Sequence, residues 1–112
     1  MLWSELLTAL AATPLVEAPD FAIQSVSAAD LLSDILATER EEFVILTGQT
    51  SQRTIRTAIA VGALGVVVVR GKHVPPEAVA LAANARVPLA VSPQRMFEAC
   101  VVAGQLLRSS RS

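Results

Sequence analysis

The residues with chemical potential in this chain fall into three short clusters, each directly after an apolar run. Thr47-Gly48-Gln49-Thr50-Ser51 follows Phe43 to Leu46, Arg70-Gly71-Lys72-His73 follows Gly65 to Val69, and Ser92-Pro93 follows Val87 to Val91. In a strand-to-helix loop, the first cluster would present backbone N–H groups and hydroxyls to an anion or a small polar ligand. The same residue types also serve capping alone, with Thr50 or Ser51 satisfying free helix donors and Gly48 relieving the turn. Arg70, Lys72 and His73 suit either a modest anion pocket or plain solvation at a strand end.

Stronger chemistry does not assemble. Gly65 to Lys72 superficially suggests a phosphate loop, but five residues separate Gly65 from Gly71 where the motif has four. No Ser or Thr follows Lys72, and the intervening valines are strand formers. His73 is the single histidine and has no orienting carboxylate close in sequence, so no Ser-His-Asp order or paired catalytic acids can be built. Asp30 and Asp34, at i and i+4 of an expected helix, offer a cation only two oxygens and read better as a solvated face. Cys100 reads as a packed thiol on the apolar side of the last helix. The expectation is a chain that is not an enzyme, with no cofactor and no metal.

The elements that must position these clusters follow from the apolar pattern. The three runs are too short for helices and are bounded by polar or glycine residues, which predicts buried parallel strands with their C-terminal loops on one edge. Leu2, Leu6, Leu7 and Leu10 predict a helix over residues 2 to 12, ended by Thr13-Pro14. Leu15 to Glu17 and Phe21 to Val26 read as two short strands that could pair at the sheet edge. Ser27 is placed to cap a helix over Ala28 to Thr38 that buries Leu31, Leu32, Ile35 and Leu36, with Glu39 to Glu42 as a solvated link. A helix after Ser51 would bury Ile55, Ala58, Ile59 and Gly62, and one opened by Pro76 would bury Val79, Ala82 and Ala83. The last helix, after Ser92-Pro93, is expected to face inward with Phe97, Cys100, Val101 and Gly104, and outward with Gln94, Arg95 and Glu98. The fold class is therefore α/β, a three-layer βα-repeat domain with a mainly parallel sheet of four to five strands and helices on both faces.

Bulk properties narrow the class. A length of 112 residues suits a single domain, taken as 1 to 107 with Arg108 to Ser112 as a flexible tail. An apolar content of 53% against 17% charged residues leaves surface for a partner, and a homo-oligomer, most simply a dimer, is expected. The net charge of −1 argues against a nucleic-acid surface. One cysteine and the absence of a basic leader or a long uncharged apolar run point to a cytoplasmic chain with no membrane segment.

From Ile23 to about Leu107, the order of motifs resembles the DRTGG domain family, small α/β domains akin to the N-terminal domain of HPr kinase/phosphorylase. The resemblance rests on Asp30-Leu31-Leu32-Ser33-Asp34, Thr47-Gly48-Gln49-Thr50, Ala58 through Val69, Pro75-Pro76-Glu77, Val87-Pro88-Leu89, Ser92-Pro93 and Phe97-Glu98. No literal Asp-Arg-Thr-Gly-Gly string occurs, so no residue role carries over from that motif. A looser similarity, in the Leu-Thr-Gly strand end and the Val-Pro-Leu strand, is to the N-terminal domain of purine catabolism regulators. Both resemblances imply a regulatory module. The expected function is a non-catalytic regulatory or interaction domain that senses a small polar or anionic ligand, a nucleotide or metabolite, at the strand C-terminal edge. The alternatives are an accessory subunit docking onto a larger metabolic enzyme or regulator and, further off, a phosphoryl- or acyl-transfer enzyme.

Overall fold

Within each apolar run, alternate residues part to opposite sides of a single sheet. Phe43 and Ile45 pack on one side with Val66, Val68 and Leu89, while Val44 and Leu46 pack on the other with Val67, Val69 and Ala90. Strands buried on both faces show no polar alternation, which is why these runs read as continuous. The computed structural model describes residues 1–37 and 40–111. Its elements are α1 (Trp3–Ala9), β1 (Thr13–Val16), β2 (Ser25–Ala28), α2 (Leu32–Leu36) and β3 (Phe43–Thr47), followed by α3 (Gln52–Ala60), β4 (Gly65–Val68), α4 (Pro76–Asn84), β5 (Leu89–Val91) and α5 (Met96–Arg111).

The five strands lie in the order β1-β5-β4-β3-β2. β2 to β5 are parallel and in sequential order, and β1 closes the β5 edge antiparallel. Ile35 of α2, Ile55 and Ala58 of α3, and Ala78 and Ala82 of α4 cover one face. Trp3, Leu6 and Leu10 at α1, with Ala99 and Ala103 of α5, cover the other. The three-layer α/β architecture expected from the sequence is thus present. Gly65 opens β4 because the Trp3 ring lies over it: a Cβ there would stand 3.1 Å from two ring carbons.

Several local expectations are corrected. The two N-terminal strands do not pair with each other, because β2 extends the parallel ladder beside β3 while β1 lies at the opposite edge. β1 begins at Thr13 and includes Pro14, which an edge strand tolerates, with a register shift between Pro14 and Val16. Phe21 and Ile23 precede β2 and bind the start of the chain instead, where Trp3 N donates to Phe21 O at 2.9 Å and Ile23 N to Met1 O at 2.7 Å.

Ser27 is a strand residue and no helix cap, since pairing of Ser25 to Ala28 with Phe43 to Leu46 claims the backbone. The helix starts only at Leu32 and leaves Leu31 and Leu36 63% and 60% exposed; Thr38, its expected end, lies outside the described residues, as does Glu39 of the expected link. α5 is turned from its expected orientation. Ala99 and Ala103 face the sheet, with Met96, Cys100, Val102 and Leu106 packed around them, while Phe97, Val101 and Gly104 are exposed. Small residues win this contact because they let the helix lie close on Val44, Val67 and Ala90. The helix also runs to Arg111, past the Leu107 boundary, and Ser112 lies outside the described residues.

Candidate functional site

Parallel pairing of β3, β4 and β5 brings Thr47, Arg70 and Ser92 to one edge of the sheet, as the sequence anticipates. Gly48 is the first residue beyond β3. Its N–H donates to Asp30 Oδ1 at 2.6 Å, and Asp30 Oδ2 lies 3.6 Å from Arg70 Nη2. The Arg70 guanidinium lies directly over Gly48: an added Cβ there would collide with Nη2 and stand 3.0 Å from both Cζ and Asp30 Oδ1. Glycine is needed here for close approach. The ion pair is 42% exposed on both sides, so it orients Arg70 and contributes only about 0 to 1 kcal/mol to stability.

The backbone at Arg70 is unusual. Arg70 has φ +66° and Gly71 φ +60°, a left-handed pair that would cost a non-glycine residue about 1–2 kcal/mol. Two hydrogen bonds hold it in place, Arg70 N to Gln94 O at 2.7 Å and Gly71 N to Ser92 O at 2.8 Å. The loop after β4 is thereby fastened to the loop after β5. Lys72 and His73 follow in exposed positions, and Val74 turns back into the core.

The hydroxyls at this edge mostly serve the fold. Thr47 is buried and its Oγ1 accepts from Gln49 N at 3.1 Å. Ser51 caps α3 by accepting from Thr54 N at 3.3 Å. Ser92 is buried, its hydroxyl donating to Leu10 O at 2.6 Å and accepting from Gln94 N at 3.1 Å. Gln49 is exposed and Thr50 half-buried. The solvent-facing groups of the edge are therefore the Arg70–Asp30 pair with Lys72 and His73 as exposed neighbours, while the hydroxyls of Thr47 and Ser92 are buried and engaged.

An open groove of about 700 Å³ adjoins Arg70 and is lined further by Pro93, Arg95, Met96 and Phe97. The sequence pattern places Arg95 on a solvated helix face, Phe97 in the core and Asp30 in a helix with Asp34. Only the packing of α5 on its alanines and the register of β2 reveal these three at the edge. A second cavity of about 560 Å³ lies along α1 and the segment after β1, between Trp3, Leu7, Pro14, Glu17 and Asp20, away from the edge residues. There the Ser4 hydroxyl and backbone N–H, bonded to Asp20, hold that carboxyl below its ordinary value. Burial pushes the Cys100 thiol up from 9.0, which disfavours the thiolate. Among the described residues, no group of three or more His, Cys, Asp or Glu comes together to hold a metal, and no helix is long and apolar enough to cross a membrane.

A sequential parallel ladder with helices on both faces defines the class, a three-layer α/β domain with a candidate binding edge at its strand ends. The chain is similar in structure to the CBS and DRTGG domains of the regulatory region of Clostridium perfringens pyrophosphatase, solved with the activator diadenosine tetraphosphate. The match has a TM-score of 0.73 and 18% sequence identity, over 89% of this chain and 44% of that one. The present chain thus spans less than half the length of its structural relative. The DRTGG-like resemblance read from the motif order holds at the level of the fold. No protein-family model matches the sequence, and no curated protein matches it.

Proposed function

We propose that this domain is a non-catalytic regulatory module that senses a small anionic ligand, a nucleotide or a phosphorylated metabolite, at the C-terminal edge of β3, β4 and β5. The observation that carries this reading is Arg70, held over Gly48 by Asp30 and left 42% exposed at the sheet edge. A half-exposed guanidinium at the sheet edge keeps most of its donors available to phosphate oxygens. Lys72 and His73 add positive charge or donors from the adjoining loop, and the backbone around Thr47 to Ser51, with Gly71 and Ser92, sets the shape of the rim. The pyrophosphatase regulatory region, part of which shares this fold, was solved with a nucleotide activator, which supports a ligand-sensing role.

The test is calorimetric titration of the whole chain with ATP, diadenosine tetraphosphate, inorganic tripolyphosphate and uncharged nucleosides. Saturable binding of the anions, lost in Arg70→Ala, is expected. Absence of heat with every anion would remove the reading. Catalysis finds no support in a rim where the hydroxyls of Thr47 and Ser92 are buried and engaged.

A second reading is favoured by Leu31 and Leu36, two leucines more than half exposed on and beside a five-residue helix. Burying them is a reason for the chain to form a homodimer, or to dock as an accessory subunit onto a larger enzyme or regulator. Light scattering that shows a dimer in the native chain and a monomer in Leu31→Ser/Leu36→Ser would favour self-association. The proposed setting is cytoplasmic.

A further inference from the structure

We infer that the groove between the β4 and β5 loops is a nucleotide subsite in which Phe97 stacks on the base while Arg70 and Arg95 hold the phosphates. This deepens the anion-sensing reading above and rests on it. The first support is topological. The chain leaves β4 for α4 on one face of the sheet and leaves β5 for α5 on the other. Loops that leave adjacent parallel strands toward opposite faces diverge beyond the carboxyl ends, the edge where open α/β sheets bind ligands, and here two backbone hydrogen bonds tie the bases of those loops together. Between β2, β3 and β4 every crossover helix stays on the same face, so this sheet has its divergence after β4 and β5. Arg70 from the β4 loop and Pro93, Arg95, Met96 and Phe97 from the segment after β5 line the groove there.

The second support is the placement of the aromatic residues. The sequence has three Phe, one Trp and no Tyr. Trp3 and Phe21 stack on each other with centroids 5.3 Å apart, and Phe43 is buried in the sheet. Phe97 stands apart from them, 75% exposed at the groove, where its ring is not needed by the core. An exposed aromatic ring beside guanidinium groups is the combination that takes a nucleobase and its phosphates together, since stacking accepts any base and arginine pairs with phosphate oxygens. A groove of about 700 Å³ is also of a size for such a ligand. The hydrogen bonds from Arg70 N to Gln94 O and from Gly71 N to Ser92 O hold the two loops in fixed relation.

The test compares ATP with inorganic tripolyphosphate, titrated into the native chain, Phe97→Ala, Phe97→Tyr and Arg95→Gln. The native chain is expected to bind ATP more tightly than tripolyphosphate. Phe97→Ala should weaken ATP by about tenfold and leave tripolyphosphate unchanged, while Phe97→Tyr retains ATP affinity. Arg95→Gln should weaken both probes by about tenfold. Equal affinity for the two probes, with Phe97→Ala without effect on either, overturns the base platform and leaves the anion-sensing reading standing. If tripolyphosphate and ATP both fail to bind the native chain, that broader reading falls and the subsite falls with it.

Discussion

Arg70 is governed by two neighbours with different consequences for mutation. Asp30 aims the guanidinium, and Gly48 makes room for it. Gly48→Ala puts a methyl group where the guanidinium lies, but the obstructing atoms are the end of a flexible side chain, so the fold survives. The expected outcome is a melting midpoint within about 4 °C of the native protein, together with several-fold weaker tripolyphosphate binding as Arg70 is displaced. A large loss of stability with unchanged binding would mean that the close approach matters only to folding. At the far end of the molecule, Asp20 gives a pH prediction. Its carboxylate accepts from Ser4 Oγ at 2.6 Å and from Ser4 N at 2.9 Å, which lowers its folded pKa below the ordinary 3.8. A depressed carboxylate pKa contributes stability that is complete above the unfolded value and is lost as pH falls through the folded one. Urea melts of Asp20→Asn should therefore show destabilisation at neutral pH that narrows as the pH falls through the lowered carboxyl pKa.

At the level of elements, the sequence reveals central strands better than edges, and the reasons differ from case to case. Phe43 to Leu46 and Gly65 to Val69 are legible because strands buried on both faces consist of unbroken apolar residues. Ser51 and Pro76 are legible because caps and first turns depend on local chemistry. The β1 and β2 pairings are not, because short strands of mixed polarity find their neighbours through tertiary packing. α5 misleads for a related reason. Phe97, Cys100, Val101 and Gly104 make a plausible apolar stripe, yet the sheet face they would meet is better matched by Ala99 and Ala103. The consequence is testable on the helix itself. Ala99→Leu should cost about 1–3 kcal/mol by overpacking, whereas Val101→Lys should stay within about 0.5 kcal/mol, both read by chemical denaturation. The reverse order would restore the orientation the sequence suggests. The rim follows the same division: Thr47, Arg70 and Ser92 are found from strand ends, whereas Arg95 and Phe97 emerge only once the inward face of α5 is known.

Across the whole molecule, one set of contacts joins the rim to the first helix. The Ser92 hydroxyl donates to Leu10 O at 2.6 Å and accepts from Gln94 N, and Gln94 Nε2 reaches Ala9 O at 3.3 Å. The same loop receives the N–H groups of Arg70 and Gly71. The rim therefore does not end at the surface, because its bonds continue across the sheet edge to the C-terminal end of α1. Segments linked in this way open to solvent as one cooperative unit. Native-state hydrogen exchange should give the amides of Arg70, Gly71 and Gln94 one shared opening free energy, and Ser92→Ala should lower it for all three. Separate exchange would dissolve the unit. If it holds, occupancy at Arg70 would register as slower exchange throughout that unit, as far as the end of α1.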